Sequence, residues 1–192
     1  MRTLIFASNN KHKLEEISNL LEGIVEIKSL KEIGLKGDIP ETADTLEGNA
    51  AQKAEWVYSR TGLDCFADDT GLEVEALNGE PGVYSARYAG ENCSFADNVN
   101  KLLNALQGHT NRNARFRTAI CLIENGEKKY FEGIVNGTIT TLEAGSEGFG
   151  YDPIFLPEGH DKTFAEMPLD IKNKISHRGR ATQKLVDYLK TK

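Results

Sequence analysis

What this chain has little of narrows it first. Only three cysteines occur in 192 residues, Cys65, Cys93 and Cys121. They are odd in number, widely spaced and form no Cys-x-x-Cys pair, which argues against a disulfide framework or a zinc site. Cys65 and Cys121 fall in apolar runs and are expected in the core. No apolar run approaches the ~20 residues of a membrane helix, and the run Thr3–Ala7 is too short for a signal-peptide core. A basic stripe is also missing. The formal net charge is −6, which disfavours nucleic acid as a partner. No Walker loop of the form Gly-x-x-x-x-Gly-Lys-Ser/Thr occurs, and there is no internal repeat or low-complexity tract. The length suits a single domain, residues 1–192, with a substantial core. Together these features predict a cytoplasmic protein that engages neither membrane nor nucleic acid.

What is present reads as an alternation of strands and helices. Thr3–Ala7 is a buried strand. Lys11–Glu22 is a helix with Leu14, Ile17, Leu20 and Leu21 inward and Gly23 as its stop. Ile24–Ser29 is a second strand, and Leu30–Pro40 a loop. A helix is expected over about Thr45–Arg60, with Leu46, Ala50, Ala54 and Val57 buried and Asn49 and Lys53 sharing a face. A short strand over Asp64–Ala67 then runs into an acidic turn, Asp68-Asp69-Thr70-Gly71, before a strand over Leu72–Ala76. Ser94 and Asp97 predict a capping box for a helix reaching Leu106. Ala114–Glu124 is a long apolar strand. Asn125-Gly126 is a hairpin signal, and strands over Lys128–Val135 and Thr138–Leu142 follow. Helices are expected over Leu169–Ile175 and Arg180–Lys190. One tight hairpin without strict alternation points to an α/β fold: a mixed β-sheet flanked by helices.

Five segments carry chemistry. Asp68 and Asp69 side by side at a strand end invite a shared cation, and Mg²⁺ is the usual one for carboxylates working with phosphates. An exposed turn would look the same. Ser8-Asn9-Asn10-Lys11-His12-Lys13 spans a strand-to-helix junction. It is either a helix cap or a phosphate cradle built from backbone N–H groups and lysine charge. Glu41 precedes the helix that carries Asn49 and Lys53, and with the Asp pair it could complete a metal site. Lys172 and Ser176-His177-Arg178 place positive charge near a helix start, where the dipole does not favour it. Phe149-Gly150-Tyr151-Asp152 offers an aromatic face, an approachable backbone and a carboxylate.

The combination resembles the inosine triphosphate pyrophosphatase family, also called Ham1-like or dITP/XTP pyrophosphatases. The matching segments are Ala7–Lys13, Glu41-Thr42, Glu47-Gly48-Asn49-Ala50 with Lys53, Phe66–Leu72, Pro81–Tyr88, Gly148–Phe155 and Ile175–Ala181. They run from end to end in the family's order. The resemblance implies hydrolysis of ITP, dITP and XTP to the monophosphate and pyrophosphate, cleansing the nucleotide pool. It also implies Mg²⁺ dependence, a homodimer, and an elongated mixed sheet in two lobes with a cleft between them. By the same resemblance Ser8, Asn9, Asn10, Lys11, His12 and Lys13 would bind the triphosphate, with Lys53 facing the phosphates and Thr70 touching substrate. Glu41, Asp68 and Asp69 would be the metal ligands. Asp69 would be the general base, and Lys13 and Lys53 would supply the catalytic positive field. Phe149, Gly150, Tyr151, Asp152, Lys172, His177 and Arg178 would hold the base. Hypoxanthine and xanthine present an acceptor O6 and a donor N1–H, which adenine reverses, so a site paired to them rejects adenine. Guanine shares both groups and is not excluded this way. The alternatives are a pyrimidine-type house-cleaning pyrophosphatase and a non-catalytic nucleotide-binding regulator.

Overall fold

Strand β1 (Thr3–Phe6) lies parallel to β2 (Glu26–Ser29) and to β3 (Cys65–Val74). Helix α1 (Lys11–Leu21) connects the first pair, and α2 (Leu46–Thr61) lies between β2 and β3 in the chain. The sheet order is β2-β1-β3-β5-β6-β7, with β5 at Asn113–Glu124, β6 at Glu127–Ile139 and β7 at Phe155–Pro157; the short β4 (Pro81–Gly82) pairs with β3. β3–β4 and β6–β7 are antiparallel, so the sheet is mixed as expected. This is a computed structural model and describes residues 2–191. Helices α3 (Phe95–Ala105), α4 (Leu169–Ile175) and α5 (His177–Lys190) complete the fold. Among the described residues no helix is long and apolar enough to cross a membrane.

Local signals explain most boundaries. Ser94 and Asp97 form the capping box of α3. Gly62 ends α2 in the left-handed region, at φ 66°, where glycine meets no Cβ penalty. Asn125 and Gly126 both take positive φ, 50° and 84°, the backbone a two-residue hairpin with a right-handed twist requires.

Three expectations are corrected. Asp68, Asp69, Thr70 and Gly71 do not form a turn but lie inside the ten-residue β3, which merges the two short strands expected there. Both Asp side chains are satisfied by buried partners, so the strand need not break to hydrate them. The strands expected on either side of Asn136-Gly137 are likewise one strand, β6. Gly137 lets it continue: a Cβ there would sit 2.4 Å from the Leu156 carbonyl oxygen on β7. The last helix begins at His177 rather than Arg180.

The chain divides into two compact units. The first takes in the chain up to Asp69, Thr118–Gly133 and the stretch from Arg178; the second is Thr70–Arg117 with Ile134–His177. In the first, alternation along each strand builds two cores. Leu4, Phe6 and Phe66 meet Ile17 and Leu21 of α1 and Ala181 and Leu185 of α5. Ile5, Ala7, Cys65 and Ala67 meet Ala50, Ala54 and Val57 of α2. The second unit has one core, in which Val99, Leu102 and Leu106 pack with Leu72, Val74, Phe116, Phe155 and Phe164.

Candidate active site

Register in the first unit gathers the charged groups. Ile5 pairs with Cys65 and Phe6 with Phe66, and the Ala7 N–H donates to the Phe66 carbonyl at 2.8 Å. The chain just beyond β1 therefore lies beside the chain just beyond Phe66, bringing Ser8–Lys13 alongside Asp68 and Asp69. Successive side chains leave a strand on opposite sides. Asp68 follows Phe66 toward α1 and α5, while Asp69 follows Ala67 toward α2.

On the first side, Asp68 accepts from Lys13 Nζ at 3.1 Å and from Arg178 Nε at 3.0 Å. Arg178 also pairs with Glu16 of α1. Glu16, Asp68 and Arg178 are all buried. Burial alone would raise the Asp68 carboxyl, but the Lys13 and Arg178 charges hold it well below the usual carboxylate range. Arg178 is held above its already high ordinary value, as Glu16 and Asp68 outweigh its desolvation. Burial pulls Lys13 down, only partly offset by Asp68. Asp68 is thus a permanently ionised anchor.

On the second side, Asn49 and Lys53 lie one helical turn apart on the inner face of α2. Asn49 Nδ2 donates to Asp69 Oδ2 at 3.0 Å, and its Oδ1 accepts from the Ala43 N–H at 2.9 Å. Lys53 Nζ lies 3.7 Å from Asp69 Oδ1 and forms an ion pair with Glu41. Gly48 permits this approach, since a Cβ there would meet Ala43 Cβ at 2.7 Å. Asp69 behaves oppositely to its neighbour. Burial and the nearby Glu41 charge raise its pKa, and Lys53 and Lys13 offset this incompletely. Lys53 is raised because Asp69 and Glu41 overcome its desolvation, and Glu41 is lowered because Lys53 overcomes its own. Two adjacent carboxylates with pKa values driven apart form the pattern of an acid–base site.

The Ser8–Lys13 junction is a cap in this structure. Asn10 Oδ1 accepts from the N–H groups of His12 and Lys13, and Ser8 Oγ accepts from the Asn10 N–H. Asn9, Lys11 and His12 face solvent, and Thr70 is half-buried just after Asp69 on β3. Among the described residues, no three or more His, Cys, Asp or Glu side chains gather at metal-ligating distance.

The second unit holds the remaining predicted groups. Asp152 Oδ2 accepts from the Phe149 N–H at 3.0 Å and from Lys172 Nζ at 2.8 Å, closing the Phe149–Asp152 loop. Lys172 Nζ also lies 5.1 Å from the centre of the Phe149 ring, a cation–π contact. Gly150 is half-buried at φ 64° with open space where a Cβ would point. Tyr151 is buried and its hydroxyl donates to the Ser85 carbonyl at 2.6 Å. The His177 ring stacks on Phe116, with centroids 4.4 Å apart and planes at 14°.

Two contributors were given no role from the sequence alone. Asn49 is bonded directly to Asp69, and its i, i+4 spacing from Lys53 was the available signal. Glu16 is the other: a carboxylate three residues after Lys13, beside the inward Ile17. A charge at the edge of an apolar stripe marks a buried partner, but nothing local names Arg178.

The chain is similar to known proteins along nearly its whole length. The family model described as Ham1 family matches residues 4–188. A dITP/XTP pyrophosphatase of Porphyromonas gingivalis is 60% identical over 190 residues, 98% of each chain. One from Flavobacterium johnsoniae is 59% identical over 186 residues, 97% of each. The solved structure of a HAM1 protein from Coxiella burnetii superposes with a TM-score of 0.92 at 39% identity, covering 100% of both chains.

Proposed function

This chain belongs to the Ham1 family, and from that premise we propose that it hydrolyses deaminated purine nucleoside triphosphates, ITP, dITP and XTP, to the monophosphate and pyrophosphate. The observation that carries the chemistry is the asymmetry of the Asp pair: Asp68 clamped in the ionised form, Asp69 raised and held by Asn49 and Lys53. A general base must be able to take up a proton, and of the two carboxylates Asp69 is the one whose pKa is raised and not lowered. In this reading Asp69 takes a proton from water as the water oxygen bonds to the α-phosphorus. The bond from that phosphorus to the bridging oxygen breaks, and pyrophosphate leaves with the electron pair. Lys13 and Lys53 stabilise the charge that develops on the phosphate oxygens, as positioned cations do in phosphoryl transfer.

Mg²⁺ would neutralise phosphate charge and polarise the reacting groups when bound. Glu41 and Asp69 suit it as hard oxygen donors, and both already face one cation, the Lys53 ammonium. With so few carboxylates at hand, phosphates and water would complete the coordination, as is usual for Mg²⁺. Asp68 would support the site through Lys13 and Arg178. Ser8, Asn9, Asn10, Lys11 and His12 would meet the triphosphate with Lys13, and Thr70 would touch it beside Asp69. In the second unit Phe149, Gly150, Asp152 and Lys172 would contact the base, with Tyr151 and His177 supporting them from the aromatic core. A homodimer remains part of this reading, and light scattering after gel filtration tests it.

A panel of ITP, dITP, XTP, GTP and ATP, assayed for pyrophosphate release with Mg²⁺ and again with EDTA, tests the function. The expected result is Mg²⁺-dependent release from the first three and roughly 10⁴-fold slower turnover of ATP. Orthophosphate as the first product, or equal rates on all five, refutes the proposal.

A further inference from the structure

Helix α3 carries an apolar stripe at Phe95, Val99, Leu102 and Leu106, one helical face by spacing. Val99, Leu102 and Leu106 are buried in the second unit's core, yet Phe95, on the same stripe, is 48% exposed. Its backbone is fixed by the Ser94–Asp97 capping box at the helix start. A large aromatic is therefore held at the edge of the core with about half its surface in water. Its ring is not idle: it lies 6.1 Å from the Phe149 ring, the planes tilted by 48°. Phe149 is held at its backbone by Asp152 and carries the Lys172 ammonium at its ring. The ammonium over the ring face restrains the ring plane from one side, and a second ring at aromatic-pair distance restrains it from another.

We propose that Phe95 is a positioning residue of the base subsite, setting the plane of the Phe149 ring on which a purine would stack. The inference rests on the function proposed above, since it takes Phe149 as the platform for the base. It adds a specific role to a side chain outside every motif that identifies the family in this sequence. Phe95 acts through Phe149, so its effect falls on recognition of the base and not on the phosphates.

The test compares wild type with Phe95→Ala, Phe95→Leu and Phe95→Tyr. Kd for xanthosine monophosphate is read by calorimetry, and kcat and KM for XTP by pyrophosphate release. Inorganic tripolyphosphate serves as a competitive probe that has no base. Phe95→Ala is expected to raise Kd and KM roughly 2- to 10-fold, the scale of an aromatic pair. Its kcat and tripolyphosphate inhibition constant stay at wild-type values, and its Tm falls by no more than about 6 °C, the share of stability carried by the pair itself. Tyr restores base affinity, while Leu, apolar but without a ring, does not. Unchanged Kd and KM in the Ala variant, equal rescue by Leu and Tyr, or a parallel loss of tripolyphosphate affinity each overturn the inference. Wild-type protein that binds xanthosine monophosphate but releases no pyrophosphate overturns the activity alone, and the binding constants still decide the role of Phe95. Wild-type protein that neither releases pyrophosphate from XTP nor binds xanthosine monophosphate overturns both.

Discussion

Replacing Arg178 with Met should damage stability more than any surface change. The Arg178 side chain is 1% exposed and pairs with Glu16 and Asp68, whose side chains are 4% and 0% exposed. Methionine leaves Glu16 without its guanidinium partner and leaves Asp68 with Lys13 alone. Breaking a buried ion pair from one side costs about 3–5 kcal/mol, because a desolvated charge stays behind. For a protein of this size that corresponds to a fall in Tm of about 6–20 °C by calorimetry. The deficit should depend on pH with a definite sign. Burial disfavours the charged form of a carboxylate, so the penalty in the variant is largest at neutral pH and shrinks as acid neutralises Glu16. Adding Glu16→Gln to Arg178→Met should recover part of the lost Tm, because the stranded charge is gone, and a double-mutant cycle measures the coupling. Arg178→Lys should fall between, since one ammonium cannot present the guanidinium fork to two carboxylates. A melting point for Arg178→Met within about 2 °C of wild type, on the same size scaling, would refute the claim that this triad is a desolvated unit.

Other perturbations separate chemistry from folding. Asp69→Asn should lower kcat by roughly 10²-fold or more, the scale of a lost general base. Its Tm should be unchanged or higher, because a raised carboxyl pKa means that the ionised form costs stability at neutral pH. For the same reason the wild-type kcat should fall on the acid side as Asp69 takes up its proton, at a higher pH than an ordinary aspartate would, and Asp69→Asn should lose that limb in a pH–rate profile. Gly148→Ala should weaken base recognition: a Cβ there would sit 2.1 Å from Asp152 Oδ2 at a backbone φ of +71°, displacing the oxygen that holds Lys172 and the Phe149 N–H. The expected signature is a raised KM for XTP with tripolyphosphate inhibition unchanged; equal loss of both would place the damage elsewhere.

Much of the fold was legible because its signals are local. The 3.6-residue stripes of α1, α2 and α3, the Ser94–Asp97 capping box and the Asn125-Gly126 hairpin each depend on residues close together in the chain. The two strand misreadings share one cause. Asp68-Asp69-Thr70-Gly71 has turn composition, and only buried partners from elsewhere allow two carboxylates to continue a strand. Likewise Gly137 reads as a strand break until β7 is seen passing where a Cβ would stand.

By itself the sequence determined the family, the element types and the roster of charged and aromatic groups, because these are written in order and spacing. It could not say which charge meets which. Lys13 finds Asp68 across 55 residues, Arg178 finds Asp68 across 110, and Arg178 finds Glu16 across 162. Those pairings follow from strand register and from how α1, α2 and α5 dock on the sheet. They decide that one aspartate of an adjacent pair is locked as an anion while its neighbour is left able to take up a proton. Burial and counter-charge set that difference, and both belong to the folded chain.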